Sequence, residues 1–330
     1  MNLPEKRDDV VALDASDPLA DARKRFQLPV ETIYLDGNSL GPPPRTVIPR
    51  IIELMDLEWG GDLVRSWTNH EWIDLPEKVA ALLAPLIGAS PEEMVVADST
   101  SVNIFKLLGV ALNLRPGRSV ILSEEENFGT DLYVAQGFAR HVGKDVSIRI
   151  VPRSELRQAL DDEVAVLMLT HVDFRTGAVH DMEAWTRVAH DAGAVVLWDL
   201  AHSAGALPLD VTGSNVDLAV GCGYKYLNGG PGAPSFAYVA NRHHEALQSP
   251  LWGWMGHEAP FGFDNDYRPA EGTGRLRVGT PPILSLAALQ CGVESIVEIG
   301  IDELRAKSVR LTELFIGLVD RDLAGHGFEV

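Results

Sequence analysis

The chain has 330 residues, a size that suits one large α/β unit or a large domain with a smaller companion. Hydrophobic residues make up 46% and charged residues 23%, which permits a sizeable core and argues against intrinsic disorder. Lys and Arg total 28 against 47 for Asp and Glu, a formal net charge of −19. A surface this acidic repels nucleic acid and anionic lipid, so a main role in binding polyanions is excluded.

The polar N-terminal arm, residues 1 to about 32, has no apolar signal-peptide core, and no run of about 18 apolar residues offers a membrane span. Thr32–Leu35 is a short β-prone run that stops at the turn Asp36-Gly37-Asn38-Ser39-Leu40-Gly41, before three prolines. Helices are predicted over Val47–Trp59 and about Ile73–Ile87, the second ending at Gly88. From Met94 a rhythm begins. Strands are predicted at 94–97, 120–122, 146–151, 164–169, 194–198, 216–220 and 235–239, with helices over 102–112, 130–140 and 181–192. Alternation of this kind predicts an α/β fold with a mostly parallel sheet covered on both faces. Residues 253–282 read as irregular, two long helices follow at about 283–298 and 302–320, and Gly325–Val330 reads as the start of a strand. The division expected is an arm with a first helix (1–60), a large domain (61–265) and an incomplete small α+β domain (266–330).

Cys222 and Cys291 are too few for a disulfide scaffold and form no C-x-x-C pair, which points to a reduced, cytoplasmic protein. Gly37-Asn38-Ser39-Leu40-Gly41 matches the G-x-S-x-G of a hydrolase elbow, but prolines stand where that motif needs a helix. Three His-Glu pairs lack the second histidine of a zinc motif. The turn Asp98-Ser99-Thr100-Ser101 lacks the glycines of a dinucleotide fold. Hydroxyls at a helix N-terminus do suit a phosphate, though ordinary capping explains that feature first when it is taken alone. The informative pair is Asp199, directly after a buried apolar run, and Lys225, just before the glycine-rich Asn228-Gly229-Gly230-Pro231-Gly232. A lysine for covalent attachment of an aldehyde and an acid against a ring nitrogen are what pyridoxal phosphate requires.

In these residues the chain resembles the fold-type-I pyridoxal-phosphate enzymes of the class-V aminotransferase type and, among them, the kynureninase family. The likeness runs through Tyr34–Gly41, Ser101-Val102-Asn103, Asn127–Asp131, Asp199–His202, Tyr224–Asn228 and Trp252-Gly253-Trp254. It implies pyridoxal 5'-phosphate as cofactor, hydrolysis of L-kynurenine to anthranilate and L-alanine, and a homodimer, with no nucleic-acid or membrane partner. By resemblance, Lys225 carries the cofactor and moves the substrate α-proton, and Asp199 faces the ring nitrogen. Phe128 stacks on the ring, with Gly129 and Thr130 beside it. Thr100 and Ser101 hold the phosphate. Asp131, Thr170 and His202 line the cofactor, with His202 tuning its surroundings. Tyr224 reaches the phosphate and is the candidate proton donor. Trp254 and Thr280 enter from the second subunit. Ser39, Trp67, Gly279 and Thr280 face the substrate, and Trp67 with Gly279-Thr280 resembles bacterial members that prefer L-kynurenine to its 3-hydroxy form.

The resemblance also implies an arginine late in the C-terminal domain that clasps the substrate carboxylate. This sequence stops before that region, and neither Arg275 nor Arg277 matches, so a truncated chain with a cofactor pocket and weak or no turnover is expected. Another fold-type-I enzyme, such as a cysteine desulfurase or an aminotransferase, and an inactive cofactor-binding protein are the alternatives.

Overall fold

The computed structural model describes residues 3–143 and 145–328. The apolar runs become seven strands: β1 (Met94–Val96), β2 (Val120–Glu124), β3 (Ser147–Val151), β4 (Val164–Thr170), β5 (Val195–Asp199), β6 (Leu218–Gly221) and β7 (Phe236–Val239). They form one sheet in the order β1-β7-β6-β5-β4-β2-β3. Only β7 breaks the parallel pattern, running against both β1 and β6.

Parallel strands require crossovers, and helices supply them. In chain order the helices of seven or more residues are α1 (Arg7–Ala15), α2 (Val47–Glu53), α3 (Leu75–Ile87), α4 (Thr100–Leu114), α5 (Gly129–Val142), α6 (Met182–Asp191), α7 (Ile283–Ile299) and α8 (Ile301–Asp322). A π-turn, Leu54–Trp59, prolongs α2 to the predicted end of that helix. Gly300, with φ of 90°, separates α7 from α8, which bend by 78°. Among the described residues no single helix is long and apolar enough to cross a membrane.

Side chains alternate along a strand, and the alternation sorts the core into two layers. Leu167, Leu169, Val196 and Trp198 join the layer beneath α3 and α7. Val166, Met168, Val195 and Leu197 join the layer beneath α4 and α5. Continuing the second parity, Thr170 and Asp199 end their strands on the α4–α5 side, and they are register partners. The fold therefore delivers two polar side chains at strand C-termini toward the starts of two helices, where open α/β sheets bind ligands.

A single carboxylate anchors the sheet at its other end. Asp217, just before β6, accepts the Val196 N–H at 2.8 Å and the Arg242 guanidinium at 2.8 Å, with His190 and His243 each at 2.7 Å.

The polar arm, where no helix was predicted, contains α1, whose Asp9 carboxylate accepts the N–H groups of Glu5 and Lys6. Two sequence expectations need correction. Thr32–Leu35 is not a strand. Among the described residues it has no neighbour to complete a ladder, Ile33 and Leu35 are exposed, and the Tyr34 hydroxyl instead donates to the Leu40 carbonyl at 2.6 Å. Gly325–Phe328 is a turn region after α8 rather than a strand, and Glu329 and Val330 lie outside the described residues.

Candidate active site

Burial and backbone bonding set up the acid. Asp199 is 5% exposed, and its Oδ1 accepts the Ala201 N–H at 2.8 Å. The lysine loop follows β6 and folds tightly for steric reasons. A side chain at Gly223 would sit 2.5 Å from the Pro234 carbonyl oxygen, and the Gly229 N–H closes onto the Gly223 carbonyl at 2.9 Å. Asn228, in the left-handed region at φ 56°, donates its N–H to the Lys225 carbonyl at 3.0 Å.

Lys225 Nζ emerges 2.8 Å from His202 Nε2, 5.7 Å from the Phe128 ring centre and 5.9 Å from the Tyr224 ring centre. Burial, aided by the Lys225 charge, pushes the His202 imidazole down to about 4. At neutral pH His202 is therefore uncharged, and its Nε2 lone pair accepts a hydrogen bond from the Lys225 amine. Burial raises the pKa of both Asp199 and Asp131, and the Lys225 charge acts on each in the opposite direction, so the amine and the two acids share one site.

The N-terminus of α4 forms the adjoining wall. Ser99 caps it, its Oγ accepting the Val102 N–H at 3.4 Å. Among the described residues, the backbone N–H groups and hydroxyls of Thr100 and Ser101 have no protein partner. Free donors at the positive end of a helix dipole form an anion site. The turn before them is held by Lys106, which is fully buried and donates to Asp98 Oδ2 at 2.8 Å and to the Leu276 carbonyl at 2.7 Å. Sequence reasoning missed Lys106. Its signal was a lone lysine inside the apolar run Phe105-Lys106-Leu107-Leu108.

The third wall is the start of α5. Phe128 precedes it and stands half-exposed, edge-on to Phe174 at 5.2 Å, while Gly129, Thr130 and Asp131 form the first turn. Asn127, quoted in the motif without a role, fixes this wall. Its Oδ1 accepts the Phe128 N–H at 2.6 Å and the Thr170 hydroxyl at 2.5 Å.

An anion seat, an aromatic face, a buried acid and an amine together fit pyridoxal 5'-phosphate, which carries a phosphate, a flat ring, a basic ring nitrogen and an aldehyde. The fit has an electrostatic reason. Two buried carboxyls face one lysine, and a protonated ring nitrogen is the further cation such a cluster favours.

The remaining expected residues are not gathered around Lys225 within one chain. Trp254 is exposed, its ring against Phe261 at 5.7 Å. Gly279 and Thr280 line a small cavity of about 50 Å³ with Ala97 and Asp98, beside the anion seat. Trp67 packs edge-on against Trp72 at 5.8 Å. Ser39 bonds Asp36 at 2.7 Å, but its segment does dock on the lysine loop, because the Gly41 N–H donates to the Tyr224 carbonyl at 2.9 Å. A Cβ at Gly41 would lie 2.2 Å from the Lys225 carbonyl oxygen. Gly41→Ala is therefore expected to cost about 1–3 kcal/mol by overpacking and to loosen cofactor binding. Urea denaturation and a pyridoxal-phosphate titration check this, and unchanged values for both would refute the docking.

Both cysteines are buried and free. Burial raises the Cys222 thiol to about 11, which unfits it as the mobile nucleophile a desulfurase needs.

The class-V aminotransferase family matches residues 33–321. Kynureninase of Deinococcus radiodurans is 52% identical over 314 residues, covering 94% of this chain and 76% of that one. Kynureninase of Burkholderia mallei is 47% identical over 325 residues, covering 97% and 78%. Among solved structures, the apo cysteine desulfurase of Thermococcus onnurineus NA1 superposes with a TM-score of 0.75 at 23% identity, covering 91% of this chain and 76% of that one. A C-DES mutant with glycine linked covalently to its pyridoxal-phosphate cofactor gives a TM-score of 0.79 at 19% identity, covering 91% and 80%. The structural likenesses at these identities establish the fold, and the sequence relatives narrow it: the chain belongs to the kynureninase family of class-V aminotransferase-fold enzymes.

Proposed function

We propose that the chain hydrolyses L-kynurenine to anthranilate and L-alanine with pyridoxal 5'-phosphate, breaking the Cβ–Cγ bond. The observation that carries this reading is the Lys225 amine at 2.8 Å from a neutral His202, within the field of buried Asp199, in a chain half identical to kynureninases.

When bound, the cofactor supplies an electron sink. The chain supplies the rest. Thr100 and Ser101 would hold the phosphate, Phe128 would cover the ring, and Asp199 would keep the ring nitrogen protonated. Lys225 Nζ carries the α-proton, and His202 Nε2 accepts a hydrogen bond from it, limiting the positions the amine samples. Burial raises the Tyr224 phenol to about 12, so it keeps its proton at neutral pH and is able to donate it to the leaving aryl fragment.

The proposal includes a homodimer in the cytoplasm, in which a second copy brings Trp254 and Thr280 to the cofactor and Trp67, Ser39 and Gly279 border the substrate. In support, Ile48, Ile52, Met55, Leu57 and Trp59 are exposed along α2 and its π-turn, and Trp252, Phe261 and Phe263 are exposed further on. Apolar surface on this scale marks an interface. Residues 1–60, 61–265 and 266–330 are the proposed arm, cofactor domain and start of a second domain.

The test is a visible spectrum of the chain with pyridoxal phosphate, followed by L-kynurenine addition with anthranilate fluorescence as readout. Borohydride is expected to fix the cofactor on the protein, and Lys225→Ala to abolish that fixation. A loaded chain that yields no anthranilate sinks the hydrolase reading, and fixation surviving in Lys225→Ala sinks the lysine.

A further inference from the structure

We propose that a cavity of about 490 Å³, between the N-terminal arm and the bend that joins α7 to α8, binds a small carboxylic acid with an apolar body, and that its occupant bears on the Lys225 amine through His202. The binding site stands on the cavity alone. The link to the amine rests on the cofactor reading above, and the test separates the two.

Several stretches of chain build the walls. Ile296 and Ile299 lie at the end of α7, and Leu304 lies just past the 78° bend, at the start of α8. Leu19 and Phe26 come from the arm. Ion pairs from Lys307 to Asp17 and from Arg25 to Glu298 fasten that arm in place, as does the Arg45 N–H, which donates to the Arg25 carbonyl at 2.8 Å. Tyr226, from the loop after β6, adds an aromatic surface. A concavity of this size, with apolar walls and few polar groups, is the usual form of a small-molecule site. Among the described residues, His202 is the only one assigned above to cofactor or substrate that lines it. The cavity is therefore a chamber beside the cofactor seat, not the seat itself.

Charge selects the ligand. The chain has a net charge of −19, yet the lining includes Arg23, Arg305 and Lys307 and, among the described residues, no carboxylate. Other basic side chains nearby are already paired: Lys24 with Asp21, Arg25 with Glu298, and Lys307 and Arg310 with Asp17. The exposed Arg23 and half-buried Arg305 guanidinium groups have no hydrogen-bond or ion-pair partner among the described residues. Two unpaired guanidinium groups at one apolar cavity in so acidic a chain attract an anion, and a carboxylate matches their planar fork. Apolar walls favour a singly charged acid over a phosphate, whose second charge adds to the cost of leaving water. His202 carries the effect onward. Its Nε2 lies 2.8 Å from Lys225 Nζ, and its ring meets Tyr226 edge-on at 6.4 Å. A ligand packed against that ring shifts the group that receives the hydrogen bond of the amine.

The probes are benzoate and benzamide, which share a shape and differ in charge. Calorimetric titration of the full chain without cofactor is expected to show benzoate binding about tenfold tighter than benzamide, or more. Arg305→Met is expected to weaken benzoate about tenfold, the worth of a charge-assisted hydrogen bond, and to leave benzamide within about twofold. Arg23→Met, at an exposed side chain, is expected to weaken benzoate about threefold. Neither side chain has a partner to lose, so both variants should keep the urea midpoint of the parent. Equal affinities for the two probes, or a benzoate affinity within about twofold of the parent in Arg305→Met, would overturn the site. In the chain loaded with pyridoxal phosphate, benzoate is expected to shift the visible band, and Arg305→Met to require about tenfold more of it. A band unmoved at saturating benzoate overturns the link to the amine. If the parent takes up no pyridoxal phosphate, the cofactor reading is what fails, and the calorimetry still judges the cavity.

Discussion

Asp199→Asn is expected to lower anthranilate formation by about two to three and a half orders of magnitude while the fold persists. The side chain is buried at a strand end, and asparagine matches its shape and keeps an acceptor for the Ala201 N–H at 2.8 Å. What disappears is the charge. A carboxylate facing a protonated ring nitrogen is a buried ion pair, and removing one partner of such a pair costs about 3–5 kcal/mol. At about 1.4 kcal/mol per tenfold in rate, that is the stated loss, provided the charge matters most as electrons flow into the ring. The check is a set of kcat and KM values for L-kynurenine beside a cofactor dissociation constant. A fall confined to KM, or a loss below about tenfold, would show that Asp199 only caps its turn.

The same residue shows what a linear sequence reveals and what it hides. Val164–Leu169 and Ala194–Trp198 read as strands because strands buried on both faces leave no polar positions, and the structure places β4 and β5 there. Asp199 was legible because it ends a buried apolar run, and Lys225 because it lies shortly after another strand and just before a glycine-rich turn; the parallel neighbours β5 and β6 bring both to one end of the sheet. The α1 helix was missed because it buries nothing, so no apolar period marks it. Thr32–Leu35 was misread because β-prone residues need a neighbouring strand as much as propensity, and none lies beside them. Lys106 and Asn127 do their work across chain separations that no local pattern encodes: Lys106 reaches Leu276, and Asn127 reaches Thr170.

Asp217→Ala is expected to destabilise the protein by about 3–5 kcal/mol, without a direct effect on the chemistry at Lys225. Asp217 is 1% exposed and holds four groups from three segments: the Val196 N–H of β5, His190 at the end of α6, and Arg242 and His243 after β7. Alanine would leave a guanidinium, two imidazoles and a strand amide facing a void. Hydrogen bonds from His190 and His243 hold the Asp217 carboxyl far below its ordinary value despite burial. The sign of the pH effect follows. A depressed folded-state pKa contributes stability above the unfolded value, near 4, and that contribution drains away as pH falls toward the folded value. Urea midpoints at pH 7 and at pH 3, below the unfolded value, should therefore show a smaller gap between parent and variant at the lower pH. A gap that stays constant, or widens on acidification, would mean that packing rather than charge accounts for the loss. Holding β5 and β6 at their N-terminal ends is how a residue remote from the cofactor keeps Asp199 and the lysine loop in register at the other end of the same strands.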